Sequence, residues 1–389
     1  MSKETNTLKN AFQTWKIYLA ILLGIGIAAY MVYNSLQQTY FIEVEHGGTH
    51  RWVDANHNGE IDRSVAKEFV PVQNGNFKQQ QFTDIVHEID WTTGSLIWIF
   101  LAICCMAGRD IFYMKRIRTL TNEELSWRQS FRVIMIWEFA SALSPGAVGG
   151  ASVAMFILHK EKITLGRSTA IVIVTAMLDN LFFLTAVPLV FFFINPNELF
   201  PAGHSESIFD FHILFWLAYG MMFVMTSFLI LGIFFRPKLI KNMLLTLFKL
   251  PFLRRWRNKA LQTGNDILQT SNELKKEPLK FWWNAIWSTC LSWISRYLVI
   301  NCLIAAFVQL NGFQQLLIFG KQFLLWIVMI VTPTPGGSGI AEFTFGKLMQ
   351  GLGVSSLLLV GIAVIWRMIS YFPYLFMGVV IIPKWLRKK

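Results

Sequence analysis

The side chains that could do chemistry in this 389-residue chain are ionisable groups set inside long apolar runs. Glu138, Asp179, Arg296, Lys321, Glu342 and Arg367 each stand among Leu, Ile, Val, Phe and Trp. A charge at membrane depth costs about 2.5 kcal/mol or more, so such residues mark substrate or ion pathways unless they pair with one another. One arrangement gives each acid and base a role. Arg296 and Arg367 face a cavity and contact an anionic group, while Glu138, Asp179 and Glu342 balance them or receive a cation. Any one of these residues reads equally well as half of a buried ion pair, but the whole set is hard to explain as packing.

Two of the apolar stretches are interrupted in the same way. One reads Ala142-Leu143-Ser144-Pro145-Gly146-Ala147-Val148-Gly149-Gly150, the other Thr332-Pro333-Thr334-Pro335-Gly336-Gly337-Ser338-Gly339-Ile340-Ala341-Glu342. Proline removes a backbone donor and glycine accepts conformations that other residues avoid. Inside a bilayer such breaks persist only where protein or a water-filled cavity satisfies the freed backbone groups. Paired breaks in two halves of a membrane protein point to a transport site. Ser144, Pro145, Gly146, Pro335, Gly336 and Gly337 are therefore candidate site residues beside Glu138, Asp179, Arg296, Glu342 and Arg367. The half-helix N-termini after each turn offer free N–H groups to an anion.

The elements that must position these residues follow from hydropathy and charge. Only 15% of residues are charged and the mean hydropathy is +0.46, whereas soluble domains are about a quarter charged. Several apolar runs reach the roughly 20 residues of a spanning helix. Lys3, Lys9 and Lys16 place the N-terminus in the cytoplasm by the positive-inside rule. Helix 15–33 exits, helix 91–108 returns, and Arg109, Lys115, Arg116, Arg118 and Arg128 mark the inside. The stretch 130–158 has basic flanks on both sides and reads as a re-entrant hairpin open to the cytoplasm. Helix 168–194 exits and helix 212–235 returns to segment 236–280, which carries eleven Lys/Arg against three acidic residues. Within it, residues 239–248 have the spacing of an amphipathic helix on the inner leaflet or on the protein's underside. Helix 281–307 exits, 313–349 forms a second hairpin open to the outside, and helix 354–382 ends inside before Lys384, Arg387, Lys388 and Lys389.

The expected fold is thus an all-α polytopic membrane protein. It has about six full spans, two oppositely oriented re-entrant hairpins and a small extracytoplasmic insertion. Residues 1–33 form the cytoplasmic N-terminus and first helix, 34–90 the insertion, and 91–389 the transmembrane domain. Eight ordinary crossings with two kinked helices is the alternative topology. The formal charge of +12 does not imply nucleic acid, because the basic residues cluster beside spans and suit an anionic leaflet. The cysteines Cys104, Cys105, Cys290 and Cys302 lie in apolar runs and predict no disulfide framework. Histidines lack metal spacing, and Ser141 and Ser144 lack a nucleophile-elbow setting, so no hydrolase is indicated.

The insertion contains Asp54-Ala55-Asn56-His57-Asn58-Gly59-Glu60-Ile61-Asp62. Oxygen ligands at Asp54, Asn56, Asn58 and Asp62, with glycine at the sixth position, match the first nine positions of a calcium-binding loop. Val65 stands where the bidentate glutamate belongs. A polar turn between strands 47–53 and 60–69 accounts for the same residues.

At Trp137–Gly150 and Thr332–Glu342 the chain resembles the flippase-like membrane family named after the transmembrane region of lysylphosphatidylglycerol synthase. The resemblance runs from about 91 to 385, with 34–90 as an addition. It implies lipid-related work at the cytoplasmic membrane, in the best-understood members translocation of aminoacylated phosphatidylglycerol, with Glu138, Arg296, Glu342 and Arg367 along the headgroup path. The sequence ends six residues after Pro383, so the soluble aminoacyl-transferase domain, and with it enzyme activity, is not expected. The implied partners are membrane phospholipid and the bilayer, and a homo-oligomer is compatible with this. A non-transporting accessory subunit, docking a partner through 236–280, is the rival reading.

Overall fold

The computed structural model describes residues 40–55, 61, 66–80, 91–143, 146–200, 211–247, 249, 257–330, 340–349, 352, 354 and 356–387. The expected helix 15–33 lies outside these residues. So do Ser144, Pro145, Pro335, Gly336 and Gly337, and three of the four calcium candidates, Asn56, Asn58 and Asp62.

The insertion is an antiparallel hairpin of β1 (Tyr40–Trp52) and β2 (Phe69–Gln80). The second strand begins where the expected 60–69 segment ends, because a 3-10 turn at Ala66–Glu68 comes first. Glu68 is wholly buried and accepts a hydrogen bond from Trp52 Nε1 at 3.2 Å. A ring stack of Phe41 on Phe69, with Phe77 against its edge, forms a core too small to need more than two strands.

The rest is helical. α1 spans Thr93–Leu120, opened by Thr92 as N-cap and closed by Asn122 and Glu123 at positive φ. α2 (Trp127–Leu143) and α3 (Gly146–Lys160) follow, then α4 (Leu165–Phe193) and α5 (Phe211–Ile230), which continues into a π turn at Leu231–Phe235. The basic segment forms α6 (Pro237–Leu247) and α7 (Arg257–Lys276). α8 (Leu279–Ala305), α9 (Gly312–Ile330), α10 (Ile340–Met349), α11 (Ser356–Ser370) and α12 (Phe372–Arg387) complete the chain. Among the described residues, five helical stretches are long and apolar enough to cross a membrane: Thr93–Leu120, Leu165–Phe193, His212–Phe235, Leu279–Ala305 and Gly361–Pro383. They stand at five of the six positions expected for spans.

Two expectations are corrected. Helix 91–108 does not stop at Arg109, since α1 continues to Leu120 and carries Arg109 and Arg116 into the core at 0% and 1% exposure. The last span is not one helix, since it breaks at Tyr371 between α11 and α12. Pro373 explains the break, because its ring cannot donate to the carbonyl of Ile369 and clashes with it.

α1 and α8 pack side by side along much of their length. They run antiparallel: Trp91 meets Phe307, Gly108 lies beside Ser295, and Arg116 reaches Thr289. α2 and α3 are also antiparallel neighbours. A Cβ at Gly150 would collide with Ser141, and at the far end Gln129 and Arg132 both bond Glu161 at 3.1 Å. Lys321 of α9 donates to the carbonyl of Leu348 near the end of α10.

Backbone groups freed by breaks are met by side chains from neighbouring helices. Pro188, inside α4, leaves the Leu184 carbonyl without its helical donor. The Tyr219 hydroxyl of α5 donates to it at 3.1 Å. The Tyr371 hydroxyl donates to Ala142 O at the end of α2, also at 3.1 Å. Lys321 Nζ covers the C-terminal end of α10 through Leu348 O at 2.7 Å. Lys321, read from sequence as a membrane-depth charge, thus serves as a helix C-cap, where a cation also suits the helix dipole. Ser271 of α7 donates to Ile233 O in the π turn.

Candidate functional site

The site is built on one face of α1. Met106, Arg109, Tyr113, Arg116 and Leu120 recur at the three- and four-residue spacing of a helix face turned inward. α2 brings Glu138 to this face, α4 brings Asp179, α8 brings Thr289, Ser292 and Trp293, and α12 brings Tyr374.

At its centre Arg109 donates from Nη2 to Glu138 Oε1 at 2.5 Å and from Nη1 to Asp110 Oδ1 at 2.7 Å. Nη1 also reaches the Tyr374 hydroxyl at 3.1 Å, and that hydroxyl donates to Asp110 Oδ1 at 2.8 Å. Ser292 holds the backbone in place by donating to Arg109 O at 3.3 Å. The ring of Tyr113 lies between two guanidinium groups, 4.4 Å from that of Arg109 and 4.2 Å from that of Arg116. Arg116 pairs with Asp179 Oδ1 at 2.5 Å and touches Thr289 Oγ1 at 3.3 Å. Asp179 also accepts from Trp293 Nε1 at 2.7 Å. Charge-assisted bonds of this kind hold their geometry tightly at low local dielectric.

Arg296 continues the seam. It follows Thr289, Ser292 and Trp293 on one stripe of α8, at seven, four and three residues' spacing. Its guanidinium lies 5.5 Å from the ring centres of both Trp293 and Trp326. Phe182, Phe183, Tyr297 and Phe323 pack around those rings. Arg296 has no carboxylate within ion-pair distance among the described residues, although Arg109 and Arg116 have theirs. Arg367 is buried on α11, its guanidinium 5.1 Å from the rings of both Trp366 and Tyr371.

The structure thus brings Glu138 and Asp179 into one seam with Arg296. Their direct partners are Arg109 and Arg116, not the arginines first expected to balance them. Sequence reasoning assigned Arg109 and Arg116 to a cytoplasmic loop. The signal that finds them is the inward stripe on α1, with no Gly or Pro to end the helix between Arg109 and Asn122. Asp110, Tyr113, Trp293 and Tyr374 were missed too, since no single-residue pattern marks them. Glu342 lies near the start of α10, and Gly146 opens α3. Asp54 stands just past β1. No cluster of three metal-ligating side chains occurs among the described residues.

A family model described as the lysylphosphatidylglycerol synthase TM region matches residues 75–378. A curated relative, a "UPF0104 membrane protein" of Archaeoglobus fulgidus, is 24% identical over 309 residues, covering 75% of this chain and 89% of its own. No solved structure matches. With well over half its length matched, the chain belongs to the family of the lysylphosphatidylglycerol synthase transmembrane region, and it is a multi-pass membrane protein.

Proposed function

We propose that this protein is a flippase-like transporter that moves a polar phospholipid headgroup, anionic or aminoacylated, across the cytoplasmic membrane while the acyl tails stay in lipid. The observation that carries the reading is Arg296. It is a half-buried cation on the polar face of a spanning helix, flanked by two tryptophans and without a carboxylate partner among the described residues. A phosphate is a fitting counterion for a guanidinium, planar and forked as it is. An apolar segment retains an uncompensated charge poorly unless a ligand meets it.

The paired breaks support the same reading. α2/α3 and α9/α10 act as re-entrant hairpins open at opposite ends of the molecule, their Pro-Gly turns near mid-depth. The open end of the first lies with Arg132, Lys160, Glu161 and Trp385, at the basic end that the positive-inside rule assigns to the cytoplasm. The second opens beside Asn301, whose Nδ2 donates to Gln315 at 2.7 Å, near the opposite end of α8. On this reading the headgroup passes between the turns. Ser144, Pro145, Gly146, Pro335, Gly336, Gly337 and Glu342 line its path together with Glu138, Asp179, Arg296 and Arg367. Such an arrangement follows the logic of transporters built on broken helices.

The test uses purified chain in liposomes with headgroup-labelled phosphatidylglycerol and its lysyl derivative, read by a membrane-impermeant quencher. Labelled lipid should change leaflets faster than in empty liposomes, and Arg296→Ala should abolish the gain. No movement of either lipid would favour the rival, an accessory subunit. The exposed Leu239 and Met243 on basic α6 would then be its docking surface.

A further inference from the structure

Two carboxylates at the centre of the seam share a single guanidinium. Arg109 is wholly buried, while the side chains of Asp110 and Glu138 keep 20% and 18% of their exposure, so the acids and not the base can reach water. The two acids are not held alike. Glu138 has Nη2 of Arg109 to itself, whereas Asp110 shares Nη1 with the Tyr374 hydroxyl. The Nε–H of Arg109 is buried with no acceptor among the described residues. It is an unspent donor beside the pair, with a use for one more oxygen.

Asp110 meets Arg109 on its own helix and Tyr374 of α12, with Glu138 of α2 on the same guanidinium; further along the seam Arg116 pairs with Asp179 of α4, and Arg296 stands on the facing stripe of α8. Counting only contacts, Arg116 is matched by Asp179, and Arg109 is opposed by two acids. The extra acid is offset by the positive charge of Arg296, on the α8 turn packed against this stretch of α1. An anionic headgroup that binds Arg296 takes up that offset and leaves the seam with one negative charge in excess. Neighbouring carboxylates that cannot both be compensated resolve the conflict by holding one proton between them.

We propose that Asp110 is a proton site: it takes up one proton from water as an anionic headgroup binds at Arg296, so lipid and proton bind together. This rests on the transport reading and adds its coupling ion. An O–H bond forms on the Asp110 carboxylate, and Arg109 is left to serve Glu138 alone. The Tyr374 hydroxyl turns from donating to Asp110 to accepting from its new O–H. No electrons move, and the charge of the incoming phosphate is offset by the proton. By linkage, acid pH tightens headgroup binding by the same factor that headgroup binding tightens proton binding.

The experiment is calorimetric titration of short-chain dihexanoyl phosphatidylglycerol into the full chain in nanodiscs, in two buffers of different ionisation heat. The expected result near neutral pH is uptake of about one proton per lipid bound, as linkage requires. Asp110→Asn should bind the lipid with uptake near zero, and Tyr374→Phe should move the pH range over which uptake occurs. Lipid binding by the wild type without proton uptake overturns this inference and leaves transport standing. Equal uptake in Asp110→Asn also overturns it. No lipid binding at any pH overturns the transport reading itself. Should Asp110→Asn fail to fold, the wild type alone decides whether a proton is taken up, and Tyr374→Phe decides where.

Discussion

Arg109, Arg116 and Arg296 stand on two packed helices, and their partners set their roles apart. Arg109 and Arg116 hold α2 and α4 to α1 through Glu138 and Asp179. Removing one member of a buried pair leaves the other charge uncompensated at a cost of about 3–5 kcal/mol, more than the pair contributes by existing. Arg116→Met should therefore lower the unfolding midpoint in detergent sharply, and the double variant Arg116→Met/Asp179→Asn should recover much of the loss. A double variant as unstable as the single one would contradict this account of the pair. Among the described residues Arg296 lies against aromatic rings with no carboxylate partner, so Arg296→Ala should shift the midpoint by a few degrees at most while removing transport. The difference was half legible in the sequence. Glu138, Asp179 and Arg296 were visible as charges amid apolar residues. Arg109 and Arg116 were hidden because they follow an apolar run directly, where a basic residue ordinarily marks the end of a span.

Helices in this protein are broken by Pro and Gly, and the consequences are met by neighbours. α2 ends and α3 begins beside the first of the two Pro-Gly clusters inside apolar runs, and both clusters were plain in the sequence. The break at Tyr371 was not, because Pro373 sits in a run hydrophobic enough to pass for one span. Nor could the sequence reveal which distant hydroxyl serves which freed carbonyl, since that depends on packing. Tyr219 on α5 satisfies the Leu184 carbonyl that Pro188 frees. Leaving a buried acceptor unmet costs about 1–3 kcal/mol. Tyr219→Phe should be destabilising by that amount, and Pro188→Ala in the same background should restore stability by supplying the helical donor. An unchanged unfolding midpoint in Tyr219→Phe would refute the compensation. Close approach matters equally: Gly150 faces Ser141 and Gly378 faces Phe139 with no room for a Cβ. Gly150→Leu should force α2 and α3 apart and lower both stability and transport, measured as midpoint and flipping rate.

For the molecule as a whole, the proposed topology rests on charge asymmetry. Basic side chains gather where α1 ends, α2 begins and α12 ends, while the opposite end of α8 is uncharged and rich in amides. Opposed hairpins predict opposite labelling. A cysteine replacing Glu161 in a cysteine-free background should react with an impermeant maleimide only from the cytoplasmic side, and one replacing Asn311 only from the outside. Reversed labelling, Glu161 from outside and Asn311 from the cytoplasm, would return the chain to eight ordinary crossings. The central claim is that a lipid headgroup enters the polar seam between α1 and α8. Its most direct test is photocrosslinking with phosphatidylglycerol that carries a diazirine on the headgroup, followed by peptide mapping in native-like bilayers. The account predicts labelling of the peptides bearing Asp110 and Arg296, lost when excess unlabelled lipid competes. Labelling confined to α6 and α7 on the basic surface would contradict it.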